Sequence, residues 1–342
     1  MDGFFRNSRD KPPPAGKIVT DTPIGKLTAD QGSKNRASSD TTFTDAVQVV
    51  VKLTLETFQQ EINRKQLYYH GIDHVEGVSR RAQLIFDTVI PFYGQKADAY
   101  IDWDRQRQLL HLSAIAHDML QIFRPQIAPH TSRQRRSGES EKATIQKLLS
   151  FIKDINPSKE DVSAYFQPND IRILEEAIEA TVCLYDANES LIYQPWLYAE
   201  HRNGQPISLV ARALALADIG TLGIDGIEAY QKEGALLLLE ENLDIIPFLK
   251  DESEFDQTFR ENVRQRLLKR ARFEIEFAKG RLNRLDEELA GLPEEAIFQL
   301  KQSVFKHLTA ETIRTLKTIT PTDGKTSLLD LLNYFQIKQQ IR

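Results

Sequence analysis

The spacing of apolar residues constrains this chain more than any other feature. From Thr44 onward they recur every three or four positions, and continuous strand-type alternation appears nowhere. Phe43, Val47, Val50, Val51, Leu55, Phe58 and Ile62 form one such series, with Thr44 as the expected cap. A second helix is expected from Asp73, burying Val78, Ala82, Ile85 and Val89 before Pro91. A third covers residues 104–120, and its apolar girth over 109–115 suits the middle of a bundle. Further helices are expected over 139–155, over 170–184 behind Asn169, and over 206–222 with Gly223 as the stop. Beyond Ile227 the pattern stays helical. Phe255, Phe259, Val263, Leu267, Ala271, Ile275, Ala278, Leu282, Leu285 and Leu289 make one long stripe, which reads as packing surface. The expected class is all-α.

Composition removes several functions. A net charge of −5, with Lys and Arg spread along 342 residues, gives no long-range attraction for nucleic acid or an anionic membrane. The apolar runs at 212–220 and 235–240 are far shorter than the ~20 residues a bilayer span needs. Cys183 is the sole cysteine, so no internal disulfide framework exists, and the start MDGFFRNSRDK lacks a secretory apolar stretch. A cytoplasmic location is the resulting expectation. Residues 1–42, with Pro12 to Pro14 and almost no apolar periodicity, are expected to form a disordered N-terminal arm.

Three short stretches place metal-capable side chains on helices otherwise made of core residues. They are "YYHGIDHVEGV" at 68–78 with His74, "LSAIAHDML" with His117 and Asp118, and "ALALADIGTLG" with Asp218. A bare carboxylate in apolar surroundings costs several kcal/mol, so a nearby cation is expected. One ion shared by two imidazoles and two carboxylates would supply it and leave positions for water. Such positions suit hydrolysis, because coordinated water becomes more acidic and a phosphoryl oxygen is polarised. The competing reading has Asp118 and Asp218 capping turns or pairing with Arg80, Arg81 or Arg212.

The order of these motifs resembles the HD-domain superfamily of metal-dependent phosphohydrolases. The likeness is nearest to its small predicted phosphohydrolase branch and more distant to cyclic-nucleotide phosphodiesterases. Its carriers are Tyr69-His70 to His74, His117-Asp118, "SGESEKA" at 137–143 and "LADIGTLG" at 216–223, over residues 43–225. The resemblance implies an HD-type helical bundle there, with residues 226–342 as an added C-terminal helical region. It makes His74, His117, Asp118 and Asp218 the ligands of one divalent ion: Mn, Mg, Fe, Co, Ni or Zn. Asp118 then serves catalysis as well, and His70 corresponds to the histidine that protonates a leaving oxygen, with Gly71 letting the chain turn. Equally, His70 can be a structural histidine bonded to a nearby carbonyl. Where many members carry an acid or a lysine after the HD pair, this chain has Gln121. His130 and His201 are the only histidines placed to build a second metal site.

The implied function is hydrolysis of a small phosphoester, such as a nucleotide. The alternative is a catalytically inactive HD-type module whose C-terminal helices engage a protein partner or a second copy. Glu139 and Glu141 open a helix and read first as capping residues, second as site residues. Arg80, Arg81 and Arg124 are candidates for phosphate contact or for solvated helix faces. His111 and His307 read as surface or packing residues and Cys183 as a small buried one. The loop 186–206, with Trp196, is a candidate lid.

Overall fold

The computed structural model describes residues 42–93, 101–126, 128–156, 164–186, 191–198, 202 and 204–341. The expected arm therefore lies outside the described residues, except for Thr42. That residue, two positions before the expected Thr44, caps α1 (Phe43–Lys65): its hydroxyl accepts from the Asp45 N–H while the Asp45 carboxylate accepts from the Thr42 N–H. Two otherwise orphaned donors are satisfied at once.

Helix α2 (Ile72–Val89) buries Val78, Ala82, Ile85 and Val89, as their spacing requires. Helix α3 (Trp103–Ala116) starts at an Asp102 cap and packs against α1, α2 and the later α5 and α6, which explains its apolar girth. It stops short of the expected Leu120. Helix α4 (Glu139–Ile155) has the expected bounds. α5 (Pro168–Glu179) is capped by Gln167, not Asn169, because Pro168 cannot donate and suits the first helical position. It also ends before Leu184. That residue opens β1 (Leu184–Asp186), which pairs antiparallel with β2 (Leu191–Tyr193) in a small hairpin that apolar periodicity is too short to reveal. Helix α6 (Leu209–Asp218) starts at Ser208, breaks at Ile219-Gly220 and resumes as α7 (Thr221–Asp225), where one continuous helix over 206–222 was expected.

The remainder is helical: α8 (Ile227–Glu241), α9 (Ile245–Lys250), α10 (Gln257–Glu288), α11 (Glu294–Gln299), α12 (Ala310–Ile319) and α13 (Leu328–Tyr334). All-α is thus the class, the hairpin aside. The described residues fall in one compact unit, Thr41–Arg342. It contains two hydrophobic clusters. The larger is built by α1 to α7, the C-terminal half of α10, α11 and α12, and the smaller by α8, α9, α13 and the N-terminal half of α10. The stripe on α10 is buried within the chain and serves both. No helix among the described residues is long and apolar enough to cross a membrane.

Candidate metal centre

His74 lies in the first turn of α2, behind Gly71. Gly71 has φ −127° and ψ 178°, an extended conformation open to any residue, so the expected need for glycine in that turn does not hold. His117 is the residue that ends α3, its N–H bonded to Ser113, and Asp118 lies just beyond, where Met119 N–H turns back to Ala116 O. The expectation put this pair within a helix, where adjacent side chains diverge by ~100°. Ending the helix there removes that obstacle. Asp218 is the last residue of α6. Gly220 makes the break possible, since a Cβ there would lie 2.5 Å from Leu216 O and 3.3 Å from Ala217 O.

These three chain segments bring four side chains together. His74 Nε2 lies 3.2 Å from Asp118 Oδ2 and 3.6 Å from Asp218 Oδ1; His117 Nε2 lies 3.0 and 3.4 Å from the same oxygens. One ligand atom from each residue lies within 4.8 Å of all the others. Neighbouring ligands around an ion at ~2.1 Å stand ~3 Å apart, which matches these separations. Three of the four outward atoms, all but His74 Nδ1, are held by the protein. His117 Nδ1–H donates to Ala114 O at 2.8 Å, leaving Nε2 as the lone pair aimed inward. Asp118 Oδ1 accepts from Gln121 at 2.9 Å, and Asp218 Oδ2 accepts from Gln194 at 3.4 Å.

Both ring nitrogens of His74 and Nε2 of His117 are buried with no hydrogen-bond partner among the described residues. Buried donors and acceptors are rarely left unpaired, so this donor set fits a divalent cation. The competing pairing fails, because Arg80 and Arg81 bind Asp225, and Arg212 donates to the carbonyls of Glu288 and Ala290. Charge within the centre is strongly coupled. Burial opposes imidazolium at His117, yet Asp118 and Asp218 outweigh it and hold its pKa well above 6.5; His74 is raised by the same pair. Burial likewise opposes the carboxylates, but His117 and His70 take Asp118 well below the usual range, and both imidazoles of the centre bring Asp218 down to about 2. Two ionised carboxylates are therefore ready for a cation.

His70 sits beside this centre, with Nε2 3.7 Å from Asp118 Oδ2. Its other nitrogen lies 2.5 Å from Glu240 Oε1, and because an ionised carboxylate only accepts, Nδ1 carries the proton. Glu240 is fully buried, and its Oε2 accepts from three successive backbone N–H groups, those of Tyr68, Tyr69 and His70. Burial raises its pKa, but the His70 ring, the Arg135 charge and the His70 N–H bring it to about 2. Arg135 Nη1 donates to His70 Nε2 and to Gln121 Oε1, each at 2.8 Å. A bridge between Phe123 and Arg135 returns the chain to the centre and places this guanidinium. Tyr69 packs on the His74 ring, centroids 4.3 Å apart.

Apolar periodicity does not point to Glu240, Arg135 or Gln194. Glu240 had a signal: it ends the run "ALLLLE" just as Asp218 interrupts its own. Arg135 and Gln194 lie in loops without periodicity and gave none.

The centre opens into a cavity of about 850 Å³ whose walls include Arg135, Glu141, Tyr185, Arg270, Phe273 and Phe277. Other candidates fall elsewhere. Arg80 and Arg81 are tied to Asp225, and Arg124 does not line the cavity. Glu139 pairs with Arg136 at the surface, whereas Glu141 faces the cavity. His111 is exposed beside Ser79, and exposed His130 meets Asp244 at 3.2 Å, away from the centre. His201 lies outside the described residues. His307 packs near Gly226, and Cys183 is a half-buried cavity residue instead of a core one. In the expected lid, Ile192 lines the cavity, as does Tyr185 just before it, while Trp196 packs onto the larger core; residues 187–190, 199–201 and 203 lie outside the described residues. Scans against protein-family models, curated proteins and solved structures return no match.

Proposed function

We propose that the chain is a divalent-metal-dependent phosphohydrolase of the HD superfamily, acting on a small phosphoester such as a nucleotide. The observation that carries this reading is the convergence of four inward ligand atoms, both nitrogens among them without a hydrogen-bond partner, at a cavity large enough for a small molecule. His74, His117, Asp118 and Asp218 would hold one ion of the Mn, Mg, Fe, Co, Ni or Zn group. When bound, such an ion polarises a phosphoryl oxygen and makes water a stronger acid.

The chain's own residues supply the rest. Arg135 offers a planar fork to a phosphoryl group at the mouth of the centre. On taking a phosphate oxygen it would release His70 Nε2, which then takes up from solvent the proton that a departing oxygen needs. Glu240 stabilises that charged imidazole through Nδ1–H and fixes the ring. Phe273, Phe277 and Tyr185 give an aromatic wall on which a base can stack.

Arg135 also favours a second reading, a non-catalytic HD-type module whose C-terminal helices meet a protein partner. As arranged, its guanidinium occupies the nitrogen that would donate. Purified protein assayed with Mn²⁺ on nucleoside monophosphates separates the two. Turnover lost on chelation and in Asp118→Ala supports the hydrolase; stoichiometric metal without turnover on any phosphoester supports the module.

A further inference from the structure

We infer that Glu141 is the proton acceptor for the attacking water in the hydrolysis proposed above, an inference that rests on that reading. A hydrolytic centre needs a base near the nucleophile, and four of the carboxylates around this one, Asp118, Asp218, Glu233 and Glu240, are otherwise engaged. Asp118 gives Oδ1 to Gln121 and turns Oδ2 to the imidazoles; Asp218 gives Oδ2 to Gln194 and turns Oδ1 the same way. Glu240 is saturated by His70 and three backbone donors, and Glu233 by Arg81 and Thr221. Position 121, the next polar side chain after the His-Asp pair, is an amide and cannot take a proton.

Glu141 differs from all of these. It stands on the first turn of α4 and lines the cavity with Asp118, Asp218 and Arg135. Its Oε2 is buried and has no hydrogen-bond partner among the described residues, the only oxygen of a cavity-lining carboxylate in that condition. Gly138, at φ +80° in the left-handed region, turns the chain into α4 so that this face meets the centre. Burial raises the Glu141 pKa, and the charges of Asp118 and Asp218 add to the effect against the partial relief of its own backbone N–H and Arg135, which makes it a stronger base than an ordinary carboxylate.

The step balances without redox change. A water O–H bond breaks and its proton passes to Glu141 Oε2, while the oxygen pair forms the bond to phosphorus. The bond from phosphorus to the leaving oxygen breaks, and that oxygen takes the proton held by His70. The Glu141 carboxylic acid then loses its proton to solvent, and His70 Nε2 regains one from solvent.

The test uses the full chain with Mn²⁺, p-nitrophenyl phosphate and a nucleoside monophosphate, together with Mn²⁺ titration calorimetry. Glu141→Gln should lower kcat about 100-fold or more on both substrates and flatten the acidic limb of the pH profile. Mn²⁺ affinity should stay at the wild-type value. Glu141→Asp, which withdraws the carboxylate by one methylene, should lose less. His70→Ala should hurt the nucleoside monophosphate far more than the nitrophenyl ester, whose leaving group needs no proton. Wild-type kcat in Glu141→Gln, or weakened Mn²⁺ binding there, overturns the base assignment while leaving the hydrolase reading intact. An inactive wild type with bound Mn²⁺ instead sinks the hydrolase reading, and the base role with it.

Discussion

At the scale of single residues, charges inside apolar runs were the informative signal. Asp118 and Asp218 violate the pattern around them, and both belong to the centre. Glu240 violates it equally, at 0% exposure, and is the anchor of His70. Replacing it by alanine leaves the N–H groups of Tyr68, Tyr69 and His70 without their acceptor, so Glu240→Ala should cost about 3–5 kcal/mol in urea unfolding. Its pH dependence has a definite sign. The folded pKa is about 2, below the ordinary 4.5, so its stabilisation is present above pH 4.5 and is lost as pH falls from there toward 2. What sequence could not reveal at this scale is polar pairing across long separations. Arg135 meets His70 over 65 positions, with no local pattern to mark it.

At the scale of elements, helix existence was legible and helix ends were less so. Periodicity located α1 to α4 and α10 because each buries a stripe, but ends are decided by caps and close contacts that periodicity does not register. The break after α6 is the clearest case. Gly220 has no room for a side chain, and the halt it permits leaves Asp218 at the helix terminus. Gly220→Ala should therefore lower stability by about 1–3 kcal/mol and weaken metal binding together, measured by thermal unfolding and metal titration. Unchanged metal affinity alongside the stability loss would uncouple the break from the centre.

The crossing of α8 and α10 gives a second case. A Cβ at Gly234 would lie 2.1 Å from Glu274 Oε1, so the small residue makes room for that buried carboxylate. Tyr334 of α13 donates to Glu274 at 3.2 Å, and burial drives its pKa up to about 7 against the partial relief of Arg270. The unfolded chain loses this proton near pH 4.5 and the folded chain only near 7. Stability from this site is thus greatest below pH 4.5 and declines as pH rises to 7. Glu274→Gln should remove that decline, and the stability difference between variant and wild type should grow in the variant's favour from pH 4.5 to 7. A difference that stays flat with pH would contradict the assignment.

At the scale of the whole molecule, α10 runs through both hydrophobic clusters and also walls the cavity, so packing and site share one element. The centre depends on residues from α2, the end of α3 and the end of α6, with His70 held from α8. Its expected behaviour with acid follows from the charges. Metal requires neutral imidazoles, and since the pKa values of His74 and His117 are raised above 6.5, protons compete for both rings from above that pH downward. Bound metal should therefore fall progressively on acidification, read as metal content across a pH series.

Elemental analysis of the purified chain after dialysis at pH 8 tests the central claim most directly. About one divalent ion per chain is expected in the wild type, lost in both Asp118→Ala and Asp218→Ala with helical content preserved. A folded wild type that holds no divalent ion after incubation with Mn²⁺, Fe²⁺ or Zn²⁺, or an Asp218→Ala variant that keeps the full complement, would contradict it.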